Sequence, residues 1–246
     1  MERSYRRWVE SDLHAFEVCV GESDLLISAE RPLRELAERA LRGARADLER
    51  YLAHDPEFAR TLRPREVLAG APDIAVQMAE AARACGVGPM AAVAGAVAEV
   101  VGEELLKESG QVIVENGGDI FLRTDHPRVA AIYAGDSPLT GRIGVRISQL
   151  GRGLGLCTSS GTVGHSLSFG KADAAIVLAE SAALADAAAT ALGNRIQSAQ
   201  DIEKGLEFLR TIDGILGGAV VIGEHLGAWG EVELVPLAAG PEARRG

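Results

Sequence analysis

The hydrophobic positions of this chain change period several times. His14 to Val20 alternates loosely between polar and apolar residues, Gly21-Glu22-Ser23-Asp24 turns, and Leu25 to Ser28 is apolar again, which predicts a β-hairpin. From Leu33 the spacing becomes helical. Leu36, Ala37, Ala40, Leu41, Ala44, Leu48 and Leu52 share one face, while Glu35, Glu38, Arg42, Arg45 and Glu49 form a solvated one. Pro32 opens this helix and Asp55-Pro56 ends it. Residues 60–71 read as irregular. Pro72 to Ala84 predicts a helix closed by Gly86, and a second runs from Pro89 to about Lys107, rich in Ala and Gly that permit close backbone packing.

Strands dominate the second half of the chain. Gln111 to Glu115 and Ile120 to Arg123 flank Asn116-Gly117-Gly118-Asp119, a hairpin turn because Gly and Asn accept positive φ. Further strands are expected at Val129 to Tyr133, Ile143 to Ile147, Ala172 to Leu178, Leu216 to Ile222 and Glu231 to Val235. Ser181 to Leu192 predicts an Ala-rich helix stopped by Gly193-Asn194, and Ile202 to Thr211 another. Interspersed helices and strands, with hairpins among the strands, favour an α+β arrangement over a doubly wound parallel sheet. The expected organisation is mixed or antiparallel sheets packed with helices, in a single domain spanning residues 1–246.

Composition narrows the function. The 246 residues are 47% hydrophobic but 4% aromatic, so the core is built from Ala, Val, Leu and Ile. A formal charge of −10 argues against nucleic-acid binding and means that a phosphate ligand needs a local device such as a divalent metal. Cys19, Cys85 and Cys157 are far apart and odd in number, which fits reduced thiols in a cytoplasmic protein. The charged start, Met1 to Trp8, has no apolar run behind it, so no signal peptide is expected. Met90 to Val101 is too short to span a bilayer. The oligomeric state is left open, a homo-oligomer included.

Three segments carry candidate chemistry. Cys157-Thr158-Ser159-Ser160-Gly161-Thr162-Val163-Gly164-His165-Ser166 lacks the bulk a packed core needs and offers hydroxyls and close backbone access to an anionic ligand. Within it His165 is a candidate acid or base. Ser168, just beyond, is a further candidate binding hydroxyl. In the second segment Gly117 and Gly118 let a turn approach a ligand that Asn116 or Asp119 would contact, although a plain hairpin needs the same residues. In the third, Asp186 and Thr190 stand four helical positions apart, two hard oxygen donors on one face suited to Mg²⁺. An exposed Asp and a Thr bonded back to its own helix is the plainer alternative.

Taken together these residues resemble the ApbE-like superfamily, the flavin transferases that move FMN from FAD onto a protein threonine. Val112 to Ile120 is similar to its Gly-Gly hairpin, Thr158-Ser159-Ser160-Gly161 with His165 to its Ser-Gly segment and histidine, and Ala185-Asp186-Ala187-Ala188-Ala189-Thr190-Ala191-Leu192 to its Ala-Asp-x-x-x-Thr-Ala helix. The resemblance runs from about Gly86 to Leu192 and implies a T-fold-like architecture. It also implies Mg²⁺ on Asp186 and Thr190, and FAD contacts from Asn116, Gly117, Gly118, Thr158, Ser159, Ser160, Gly161 and Ser168. His165 and Asp119 take the catalytic roles. The partners implied are a flavin or nucleotide and a protein acceptor.

The chain departs from the pattern in three places, one of them a gap between Gly161 and His165 much shorter than is usual. Ala94-Gly95 stands where the transferases carry Lys-Gly, and Ser166 to Lys171 replaces their Asp-Pro and Thr-Gly turn after the histidine. These departures keep two other readings in play, a flavin or nucleotide binder without turnover and an enzyme for another anionic small molecule.

Overall fold

A computed structural model describes residues 12–148, 150–161 and 169–237. The chain opens with strands β1 (His14–Val20) and β2 (Ser23–Ala29), then helices α1 (Arg34–His54), α2 (Pro56–Arg60), α3 (Asp73–Cys85) and α4 (Val93–Leu105). Strands β3 (Val112–Asn116), β4 (Asp119–Arg123), β5 (Arg128–Ala131), β6 (Ile143–Ile147), β7 (Leu154–Ser159) and β8 (Ala174–Ala179) come next. Helices α5 (Ala182–Arg195) and α6 (Ile202–Leu209) precede β9 (Ile215–Ile222), β10 (His225–Gly230) and β11 (Glu233–Pro236). The expected α+β class, with antiparallel sheets packed against helices, is the one observed.

Among the described residues, eight strands pair in the order β1-β2-β3-β4-β7-β8-β9-β10 and three more as β11-β6-β5, all antiparallel. The alternation of side chains along a strand divides the interior in two. Ala175, Val177 and Ala179 of β8 face the helices, and Ala174, Ile176 and Leu178 face the small sheet. The strand is buried on both sides and reads as continuously apolar for that reason. The helices therefore cover one face of the large sheet, and the three-stranded sheet covers part of the other.

Helix α1 docks by the predicted stripe, burying Ala37, Leu41, Ala44 and Leu48, and continues it to Tyr51. The Leu68 N–H donates to the Tyr51 hydroxyl at 3.0 Å, and the ring meets Phe58 edge-on at 5.1 Å. The irregular segment beyond α2 is tied down by Arg65, which donates to both oxygens of the buried Asp55 at 2.9 and 2.7 Å. Asp55 is held below the usual carboxylate range by that guanidinium.

Several expectations are corrected. The helix predicted from Pro89 is split, because Pro89–Ala92 forms a 3-10 turn and α4 begins only at Val93. Gly193-Asn194 does not stop α5, which runs on to Arg195. Leu154–Ser159, which takes in the start of the bulk-free segment expected to approach a ligand, is a strand of the large sheet, with Cys157 and Ser159 buried. Its small residues serve closeness: a Cβ at Gly155 would lie 2.4 Å from the Ala182 Cα. Strand β10, half exposed along one edge, adds to the expected set.

Candidate functional site

The hairpin β3–β4 presents the first candidates. Asn116 pairs with Asp119 across Gly117 and Gly118, whose φ values of 70° and 107° are those a two-residue turn requires at both central positions. Alternation sends Val114, Asn116, Asp119 and Phe121 to the helix side of the sheet. Asn116 donates from Nδ2 to the Ala94 carbonyl at 3.1 Å. The turn itself is braced from within, since the Gly118 N–H donates to Glu115 Oε1 at 2.9 Å.

Asp119 lies beneath the helices, buried, and accepts from the Thr158 N–H at 3.3 Å. Burial pushes its carboxyl up to about 7, against the pull of the Thr158 amide and the Cys157 thiol, with Glu115 adding like charge. Cys157 donates from Sγ to the Ala182 carbonyl at 3.4 Å; burial raises its thiol well above the usual value, and Asp119 and Asp186 push the same way.

Asp186 projects from the second turn of α5 toward the start of α4. Its Oδ2 accepts from the Gly95 N–H at 2.9 Å. Burial first, and then the charge of Asp119, raise its carboxyl well above the usual range, while the amides of Gly95 and Ala94 pull it back. The residue keeps part of its surface open, as does Thr190 one turn further on. A Cβ at Gly95 would sit 2.1 Å from the Ala182 carbonyl oxygen, so only glycine lets α4 and α5 meet this closely.

The same junction contains a residue that sequence reasoning missed. Glu99, nearly two turns into α4 and buried, accepts from the Ser181 hydroxyl (2.9 Å) and from the N–H groups of Ala182 (2.8 Å) and Ala183 (3.1 Å). Each helix thus caps the other: Glu99 serves the free amides of α5, and Asp186 those of α4. No local signal reveals an acid whose partners lie more than eighty residues away.

The hydroxyl segment divides between surfaces. Ser159 shares the helix face of β7 with Cys157, and Thr158 lies on the opposite face, where its backbone partner is Ile176. The Ser159 hydroxyl is buried and makes no hydrogen bond among the described residues. Ser160 is half-buried, and Gly161 donates its N–H to the Ala172 carbonyl at 2.9 Å. His165 and Ser168 lie outside the described residues.

Asp119, Asp186, Asn116 and the Ala94-Gly95 turn therefore converge between the large sheet and the start of α4 and α5. Two desolvated carboxylates, one of which raises the proton affinity of the other, suit a shared cation, and among the described residues neither forms an ion pair. Among the described residues no three His, Cys, Asp or Glu side chains are arranged to hold a metal ion by themselves. The donor set fits Mg²⁺ in the form that keeps few protein oxygens and completes its shell with water and phosphate. Asp186 with the Thr190 hydroxyl would hold it, with Asp119 behind.

The fold is that of the ApbE-like flavin transferases. An apo flavinyl transferase ApbE from Pseudomonas stutzeri superposes with a TM-score of 0.57 at 14% identity, over 91% of this chain and 96% of that one. A histidine-to-glycine variant of the flavin transferase ApbE from Vibrio cholerae gives 0.60 at 12%, over 89% and 97%. The family model described as AbpE bacteria matches residues 6–222, and the chain belongs to that family. It is 41% identical over 220 residues to a UPF0280 protein of Methanocella arvoryzae, covering 89% of each, and 43% identical over 206 residues to one of Methanosarcina barkeri, covering 83% of this chain and 81% of that protein. Among the described residues no single helix is long and apolar enough to cross a membrane.

Proposed function

We propose that this protein binds FAD through Mg²⁺ and cleaves its diphosphate, passing FMN to a protein hydroxyl or to water. The observation that carries this reading is the pairing of Asp119 and Asp186, two desolvated carboxylates without cationic partners among the described residues, beside a hairpin turn exposed at Gly117. The ApbE fold and the family membership support the flavin. A bound Mg²⁺ would neutralise the diphosphate and polarise its P–O bond. In transfer, the acceptor oxygen bonds to the FMN-side phosphorus, AMP leaves with the bridging oxygen, and the hydroxyl proton goes to a base. His165 takes that role from the resemblance alone. Asn116, Gly117 and Gly118 bring the hairpin close to the ligand, and Asp119 orients the site. Ser159, Ser160 and Gly161 contribute ligand contacts, Ser168 takes such a role from the resemblance alone, and Thr158 contributes through its backbone N–H, which orients Asp119.

A second reading, binding without turnover, is favoured by one position. Ala94 accepts the Asn116 bond through its carbonyl and precedes the Gly95 contact to Asp186, so by the resemblance a methyl group stands beside this site where the transferases carry lysine. Incubating the protein with FAD, with Mg²⁺ or with EDTA, separates the readings. Chromatography for FMN and AMP and the intact protein mass report turnover. Mg²⁺-dependent release or protein-bound FMN supports cleavage, and tight FAD binding without products supports the second reading. No flavin affinity in either metal state would overturn both.

A further inference from the structure

Phe169 is 58% exposed, an unusual position for one of only five phenylalanines in the chain. Its backbone is nevertheless held from both sides. The Phe169 N–H donates to Asn194 Oδ1 at 2.8 Å, and its carbonyl accepts from Gln197 Nε2 at 2.9 Å. The next residues are tied to the same helix end: Lys171 N–H donates to the Ile196 carbonyl at 2.7 Å, and a Cβ at Gly170 would lie 1.8 Å from the Gly193 carbonyl oxygen. Gly161 closes against Gly170 in turn, its Cβ position 2.2 Å from that carbonyl oxygen. Three backbones are thus stacked at the C-terminal end of α5, and an aromatic ring is presented to solvent from the stack. Among the described residues that ring meets no other ring and no cation. Ordering an exposed apolar side chain on so rigid a base gains nothing for the fold itself.

Its place along α5 gives it a use. Asp186, Thr190 and Asn194 recur at intervals of four and so lie along one stripe of the helix. The stripe runs from the carboxylate proposed for the metal to the amide that holds Phe169, a rise of about 12 Å. A flavin nucleotide extended along the helix would carry its phosphates at one end and its ring system at the other. The buried Ser159 hydroxyl without a partner lies at the same end, 3.5 Å from the Cβ position of Gly193. We propose that Phe169 is the ring-contact residue of the flavin site, stacking on the isoalloxazine, and that Asn194 is a positioning residue that holds it there. The inference rests on the flavin reading above and adds to it which end of α5 takes the ring.

The test compares Kd values for FAD, FMN and ADP, each with Mg²⁺, in the parent and in Phe169→Ala, Phe169→Trp, Asn194→Ala and Asn194→Asp, all in the full chain. Loss of one stacked ring should weaken FAD and FMN about tenfold in Phe169→Ala and leave ADP unchanged. Phe169→Trp should restore affinity and quench the bound flavin's fluorescence. Asn194→Ala should show part of the same flavin-selective loss, and Asn194→Asp, which keeps the acceptor oxygen, should recover it. Unchanged FAD affinity in Phe169→Ala, or an equal loss for ADP, would overturn the inference while the parent's FAD binding leaves the flavin reading standing. A parent that binds none of the three overturns both.

Discussion

Asp186 answers two demands at once. It caps the first turn of α4 through Gly95, and it shares desolvated space with Asp119. Asp186→Asn separates them, because the amide oxygen still accepts from Gly95 while the charge is gone. The variant should fold as the parent does, and its Mg²⁺-dependent affinity for FAD should fall on the order of tenfold or more, since carboxylate count sets the strength of such sites. Isothermal titration alongside thermal unfolding reads both, and equal affinity would leave Asp186 a cap alone. Asp119 makes a separate prediction about pH. Its folded pKa of about 7 stands above the unfolded value near 4, so the folded state holds its proton more tightly. The stability that this supplies is complete below about pH 4 and is lost as the pH rises to about 7. Without metal, this contribution lowers the melting temperature progressively across that window, and Asp119→Asn should flatten the slope. A parent and variant with identical pH profiles would contradict the shift.

At the scale of elements, the α4–α5 junction should be costly to disturb. Glu99→Ala leaves the amides of Ala182 and Ala183 and the Ser181 hydroxyl without their acceptor. The loss should be about 2–3 kcal/mol in denaturant unfolding, against about 1 kcal/mol for Glu99→Gln, which keeps an acceptor oxygen. Equal losses for the two would show that the charge matters and the hydrogen bonds do not. This junction is also the part of the fold least readable from sequence. The first hairpin, α1, α3 and the Gly-Gly turn arise from local period and turn chemistry, which a single segment carries in full. Glu99 does not, because its partners come from another part of the chain. The strand β7 is hidden for a different reason. Its burial depends on small residues meeting an Ala-rich helix, so the apolar bulk that marks a strand is missing from Gly155 and Ser159. Gly193-Asn194 reads locally as a stop, yet the glycine is needed for the approach of Gly170 and the asparagine for the bond to Phe169.

For the molecule as a whole, the architecture and the family agree, and both are legible because three short motifs keep their order through the chain. How the motifs meet is not written in them. Asp119 and Asp186 come under one another's influence only because one lies on the helix side of β4 and the other projects from α5 toward the start of α4, which no spacing along the chain encodes. The same geometry brings the Ala94 backbone beside the hairpin. If turnover is limited by the missing ammonium group, Ala94→Lys should raise FMN transfer or FAD cleavage at least about tenfold above the parent, the size of effect expected of one placed acid–base or charge-stabilising group. Product formation over time checks it, and an inactive but FAD-binding variant would mean that the segment after His165 matters more.

The paired caps have a geometric outcome of their own. Gly95 and Glu99 in one helix, and Ala182 and Asp186 in the other, are separated by the same four residues, and each amide meets the other helix's acid. The two segments thus make the same contact in both directions. Inserting or deleting one residue between amide and acid in either helix would swing that acid by about 100° and strip the opposite helix of its cap. Length changes should therefore be tolerated in the connections around this pair and never inside it.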